Sequence, residues 1–170
     1  MQRSDRLSIY LYEFAWILPS IAIPVAMIVA IALSSFAMGI NVQADYGRID
    51  PTRVNETPPF DRPGLRQVGP NRYEAVIVAE IWRWIAATPD DKSRRVELTV
   101  PRGSEVTFIV TSRDVLHGLK IQNTAINMMI IPGQIARATA KFDIPGEYLF
   151  VCHEYCGTGH HFMYGVLRVE

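Results

Sequence analysis

Hydrophobic and polar positions change pattern twice along the chain. From Ala15 to Ile40 no charged residue occurs, and Ile, Val, Ala, Leu and Met dominate. At helical rise this run reaches about 39 Å, enough to cross a hydrocarbon core of about 30 Å with some tilt. A secretory signal has an apolar core of only about 7–15 residues. The run therefore predicts a retained single transmembrane helix over about 15–40, although Ser35-Phe36-Ala37 loosely imitates a cleavage site. Pro19 and Pro24 lie inside it and predict a kink, which membrane helices tolerate better than soluble ones. Over residues 41–71 the pattern lapses. Pro51, Pro58, Pro59, Pro63 and Pro70, with Gly47, Gly64 and Gly69, predict an extended Pro/Gly-rich linker there.

From Arg72 onward, over 72–170, short apolar runs rich in Val, Ile, Phe and Tyr recur between turn signals. Tyr73–Ala86 reads as one or two strands, and Val96–Val100 and Glu105–Thr111 alternate around the turn at Pro101-Arg102-Gly103-Ser104. Leu116–Gln122, Ile126–Ile131, Ile135–Phe142, Glu147–Cys152 and Met163–Val169 complete the set. Pro132-Gly133 and Pro145-Gly146 mark turns. No amphipathic helix pattern of useful length follows residue 70. The prediction is an all-β domain, an antiparallel sandwich or Greek-key barrel, preceded by one transmembrane helix.

Charge narrows the class. Lys and Arg number 17, Asp and Glu 17, and the formal net charge is zero. No basic excess points to nucleic acid, and no block of like charge suggests a disordered tail. Arg3 and Arg6 before the apolar run favour an inside N-terminus. The β domain would then lie on the extracytoplasmic side, where free thiols stay exposed to oxidation unless a disulfide or a metal claims them.

Both cysteines of the chain lie in the run Cys152-His153-Glu154-Tyr155-Cys156-Gly157-Thr158-Gly159-His160-His161-Phe162-Met163. Read as donors, this is Cys-x-Glu-x-Cys-x-x-x-His-x-x-Met. Sulfur donors with imidazole select copper, zinc or iron–sulfur clusters over magnesium or calcium. Cys152 ends a predicted strand, the glycines let the backbone fold tightly, and Met163 begins the return strand. His117, which opens another predicted strand after a polar turn, is the best further contributor. A mononuclear type 1 copper site suits His117, His160 and Met163 but leaves one cysteine unused. A Cys2His2 zinc site leaves Met163 idle. A dinuclear copper site, with two bridging thiolates and one histidine per ion, employs every donor. A disulfide between Cys152 and Cys156 is the alternative without metal.

These residues carry a family likeness. The segment from Thr111 to Glu170 resembles subunit II of haem–copper oxidases at its CuA domain. The matching motifs are Asp114-Val115-Leu116-His117, Pro132-Gly133, Pro145-Gly146-Glu147-Tyr148 and the cysteine run itself. The resemblance implies a cupredoxin-like Greek-key sandwich holding two copper ions, with Cys152 and Cys156 bridging both. His117 and Met163 would complete one ion; His160 and the backbone carbonyl of Glu154 would complete the other. It implies electron acceptance from cytochrome c or a similar carrier, and transfer to haem in subunit I. Oxygen is reduced to water there and protons are translocated. With a single predicted span, the chain resembles the single-span subgroup, the B-type oxidases. In two-span relatives an acidic residue helps the central glutamate bind magnesium. The corresponding Asn123-Thr124-Ala125-Ile126-Asn127 holds no acid, so only the Glu154 carbonyl is assigned a role.

His153 and His161 neighbour the proposed ligands and, in extended structure, would point away from them. Trp82 and Trp84 share one strand face and could be core residues or an exposed patch for interfaces and electron input. A rival class, a membrane-anchored copper chaperone or thiol oxidoreductase of thioredoxin fold, would need βαβ units that the pattern after residue 70 does not offer. Nitrous oxide reductase, which carries the same copper module, would need a large additional domain. No Cys-x-x-Cys-His motif signals a fused cytochrome c domain.

Overall fold

The computed structural model describes residues 3–38, 46–86 and 95–170. The chain divides into two compact units, residues 1–40 and 41–170. The first is a single helix, α1 (Arg3–Met38), with Pro19 and Pro24 inside it. Its segment Ser8–Met38 has a mean hydropathy of 2.4 in its most apolar window and is long and apolar enough to cross a membrane. The segment starts earlier than the expected span because Glu13 is a lone charge among apolar neighbours and does not interrupt the helix. Residues 39 and 40, the end of the expected span, lie outside the described residues.

The second unit is a sandwich of two five-stranded sheets. The strands are β1 (Gly64–Gly69), β2 (Arg72–Glu80), β3 (Arg83–Ile85), β4 (Glu97–Val100), β5 (Ser104–Ser112), β6 (His117–Ile121), β7 (Asn127–Ile130), β8 (Ala136–Phe142), β9 (Gly146–Cys152) and β10 (Tyr164–Val169). One sheet runs β1-β2-β5-β8, with β3 also paired to β2, and the other runs β4-β10-β9-β6-β7. The expected sandwich is present and most of its pairs are antiparallel, but β2 pairs with β5, and β4 with β10, in parallel. Between β2 and β5 the chain crosses to the other sheet to lay down β4. It therefore returns beside β2 in the same direction.

Alternation along the strands builds the core. Val106, Phe108 and Val110 of β5, Leu119 and Ile121 of β6, Phe150 of β9 and Leu167 and Val169 of β10 are all buried in one cluster. The outer face of the β2–β5 pair is apolar as well, carrying Val76, Val78 and Ile109, and so needs a cover of its own. Ile49, Val54 and Phe60 supply it.

This corrects the expected linker over 41–71. Residues 41–45 lie outside the described residues, but the remainder is folded onto the sandwich. Pro51–Glu56 forms a 3-10 turn, capped by Asp50, whose Oδ1 accepts bonds from the Thr52 amide at 2.9 Å and the Thr52 hydroxyl at 2.7 Å. β1 then pairs antiparallel with β2. Proline and glycine shape turns here rather than a tether. Their apolar neighbours Val54 and Phe60 are too few to show a period, yet each is only 1% exposed.

Strand ends place the site. In the β6–β9 pair Leu119 lies opposite Cys152, so His117, two residues earlier, shares the inward face just beyond the end of β9. β5 ends at Ser112, and the turn between β2 and β3 holds Ile81 and Trp82 at the same end of the sandwich.

Candidate metal centre

The chain from Cys152 to Met163 is a closed loop. His160–Phe162 forms a 3-10 turn, and the Cys152 amide donates to the Met163 carbonyl at 3.0 Å. Gly157 sits at φ +114, in the region that side chains rarely adopt. A Cβ on Gly159 would meet the Trp82 ring at 2.4 Å, so the indole can lie against the loop only because this residue is glycine.

Inside the loop the two cysteines are free and buried, with their Sγ atoms 3.8 Å apart. His117 Nδ1 stands 3.8 Å from Cys152 Sγ, and His160 Nδ1 stands 3.5 Å from Cys156 Sγ. Met163 Sδ lies 3.8 Å from Cys156 Sγ, and the Glu154 carbonyl oxygen lies 3.2 Å from Cys152 Sγ. His117, Cys152 and Cys156 form a buried cluster whose donor atoms all lie within 4.8 Å of one another. The structure thus gathers all six residues singled out from the sequence. The Glu154 carboxylate is directed elsewhere, 3.5 Å from His153 Nδ1.

Electrostatics distinguish the two thiols. Burial disfavours ionisation of Cys152, but the hydrogen bond it shares with His117 and the one from the Gly118 amide outweigh it and lower its pKa. Cys156 is pushed up to about 12, by burial first and then by the charge of Cys152. Burial likewise opposes charge on His117, yet its bonds to Cys152 and Asp114 raise its pKa. Asp114 is also penalised by burial, and hydrogen bonds from His117, Ile81 and Val115 more than compensate, holding its carboxyl below the ordinary value.

The remaining aromatic and imidazole groups take separate places. Trp84 is 2% exposed and packs against Phe150 and His117, while Trp82 is 41% exposed. The shared strand face expected for the two is therefore lost at the β2–β3 turn, where regular alternation does not apply. His153 lies over Gly118, and His161 packs on the exposed Phe162 ring with centroids 3.8 Å apart. Asp114 entered the sequence reading only as part of a motif. Its Oδ1 stands 2.9 Å from His117 Nε2, and its spacing of three residues from that histidine is the signal that could have revealed the pair.

Two buried thiols flanked by a buried and a half-buried imidazole at one end of a β-sandwich, in a chain that also carries a candidate membrane span, define the class as a cupredoxin-like protein. The family described as "Cytochrome C oxidase subunit II, periplasmic domain" matches residues 90–169. Over 167 residues the chain is 33% identical to a cytochrome c oxidase subunit 2 of Thermus thermophilus, covering 96% of this chain and 94% of that one. A chain in the cryo-EM structure of a heme-copper terminal oxidase dimer superposes with a TM-score of 0.70 and 30% identity, covering 99% of this chain and all of the other. The periplasmic domain of cytochrome oxidase subunit II from Bradyrhizobium japonicum matches 57% of this chain and 83% of its own, with a TM-score of 0.50 and 26% identity. The chain belongs to the cytochrome c oxidase subunit II family, and is thus a component of an oxidoreductase complex.

Proposed function

We propose that this subunit is the electron-accepting module of its oxidase, built around a dinuclear copper centre of the CuA type. The observation that carries this reading is the pair of buried sulfurs 3.8 Å apart, flanked by one imidazole on each side. Such a donor set fits two soft, thiolate-loving ions and uses every donor at once. Cys152 and Cys156 would bridge the ions. His117 and Met163 would complete one, and His160 and the Glu154 carbonyl the other. A bound group of this kind supplies one-electron transfer with the charge change spread over two metals. The chain's own part is to hold the donors still. β6 fixes His117, β9 fixes Cys152, and the closed loop fixes Cys156, His160 and Met163.

Trp82 supplies the route inwards. Its indole is partly exposed and its Nε1 donates to the Cys156 carbonyl at 3.0 Å. Cytochrome c or a similar carrier is the donor in this reading, and haem in subunit I is the acceptor. Oxygen reduction and proton translocation belong to that partner. The sandwich, from residue 46 rather than 72, would lie on the extracytoplasmic side, with α1 as a single-pass anchor. A chaperone or thiol oxidoreductase of thioredoxin fold receives no support from the fold, since among the described residues the second unit contains strands and short 3-10 turns but no α-helix.

Metal analysis of the purified full-length chain, combined with low-temperature electron spin resonance, tests the proposal. Two coppers per chain and a seven-line mixed-valence spectrum are expected, and Cys156→Ser should abolish that spectrum. One copper per chain with a single intense blue band would instead assign a mononuclear site.

A further inference from the structure

The loops that carry the candidate ligands are joined by one carboxylate outside the ligand set. Asp114 lies between β5 and β6 and is saturated with donors. Its Oδ1 accepts from His117 Nε2 at 2.9 Å and the Val115 amide at 2.6 Å, while the nearby Ser112 hydroxyl donates to the Val115 carbonyl at 2.6 Å. Its Oδ2 accepts from the Ile81 amide at 2.6 Å, across 33 residues of sequence. Ile81 precedes Trp82, whose indole donates to the Cys156 carbonyl at 3.0 Å. The contact is reinforced alongside. The Arg113 amide donates to the Ala79 carbonyl at 3.2 Å, and the Arg113 guanidinium meets Glu80 at 2.9 Å.

A local turn would need only the bond from the Val115 amide. The other two bonds reach a candidate ligand on one side and the β2–β3 turn on the other. A neutral imidazole carries one N–H. With that hydrogen held at Nε2 by the carboxylate, the Nδ1 lone pair is left facing Cys152 Sγ. The second oxygen pins the turn whose indole holds the carbonyl of the second cysteine. We propose that Asp114 is a positioning residue that couples the two ligand-bearing loops. It sets the tautomer of His117 and, through Ile81 and Trp82, the seating of Cys156. This deepens the copper reading and rests on it for the role of His117 as a ligand.

Asparagine separates the two arms. It keeps one acceptor oxygen and turns the other into a donor. The oxygen belongs where the His117 and Val115 donors converge, which leaves the amide NH2 facing the Ile81 N–H, donor against donor. Asp114→Asn should therefore keep His117 in place and release the turn, whereas Asp114→Ala should release both.

The experiment uses the full-length chain in detergent micelles, first without copper. Nitrogen chemical shifts of the His117 ring report its tautomer, and hydrogen exchange at the Trp82 indole reports the turn. In the wild type, at a pH where the ring is neutral, His117 should be the Nε2–H tautomer and the Trp82 N–H should be protected. Asp114→Asn should keep the tautomer while the indole exchanges faster. Asp114→Ala should give mixed tautomers, and copper affinity measured by competition should fall about 10–100-fold, as expected when a partner that orients a ligand is lost. An Asp114→Ala chain with the wild-type tautomer and copper affinity would overturn the proposal. So would an Asp114→Asn chain with unchanged indole exchange, since the coupling would then be absent. Should the wild type bind a single copper, the dinuclear reading fails, yet the copper-free measurements still decide the role of Asp114.

Discussion

Trp82 Nε1 donates to the carbonyl of Cys156 at 3.0 Å, so a partly exposed indole is tied to the backbone of a buried thiol 74 residues away. A truncated interface aromatic typically costs about 2 kcal/mol or more of partner binding. Trp82→Ala should therefore weaken docking of the electron donor by about tenfold or more. The apparent KM for a reduced cytochrome c, measured on the whole oxidase, checks this. An unchanged KM and an unchanged rate of electron uptake would remove Trp82 from the route.

Gly159 makes that contact possible, because a Cβ there would lie 2.4 Å from the Trp82 ring. Gly159→Ala should force the indole outward and destabilise the domain by about 1–3 kcal/mol, the usual cost of overpacking. Denaturant unfolding followed by tryptophan fluorescence measures both effects. Wild-type stability with an unshifted emission maximum would show that the loop yields freely.

Phe60 is 1% exposed and covers the outer face of β2 and β5 from a segment that reads as a tether. Phe60→Ala should cost about 3–5 kcal/mol, as for other buried aromatic truncations. Equilibrium unfolding of the full-length chain in detergent checks it. A loss below about 1 kcal/mol would restore the segment to the status of a linker.

Asp50 caps the 3-10 turn in that same segment, and its pKa is lowered from 3.8 chiefly by the hydrogen bond from the Thr52 hydroxyl and then by the Thr52 amide. A carboxyl with a depressed folded-state pKa binds its proton more readily when unfolded. Its contribution is complete above the ordinary value of 3.8 and fades as pH falls through the folded-state value. Between about pH 5 and pH 3, therefore, the stability of the wild type should decline more steeply than that of Asp50→Asn. Parallel acid-unfolding curves for the two proteins would show that the cap contributes nothing measurable.

The long apolar helix, most of the strands and five of the candidate donors were legible in the sequence because each leaves a local trace, and the Glu154 carbonyl came only from the family resemblance. Uncharged length marks α1, alternation marks the strands, and Cys152, Cys156, His160 and Met163 sit within one loop whose glycines announce its folding. His117 was legible as a donor opening a strand, and the geometry then set its Nδ1 3.8 Å from Cys152 Sγ. The role of Val54 and Phe60 was not legible. Nothing near them reveals that β2 and β5 are apolar on both faces and need a cover. Strand direction was hidden for the same reason, since the parallel pairing of β2 with β5 depends on where β4 crosses to the other sheet.

Local chemistry, then, determined what this protein could bind and that it could be anchored in a membrane, since donor type and apolar length are properties of consecutive residues. Tertiary structure alone decided how the donors are held. Trp82 and Trp84 share a spacing, but the β2–β3 turn sends one to the surface over Cys156 and the other into the core beside His117. Asp114 joins His117 to Ile81 because two loops distant in sequence close the same end of a sandwich. Contacts of that kind follow from sheet register and crossover, which no stretch of sequence contains by itself.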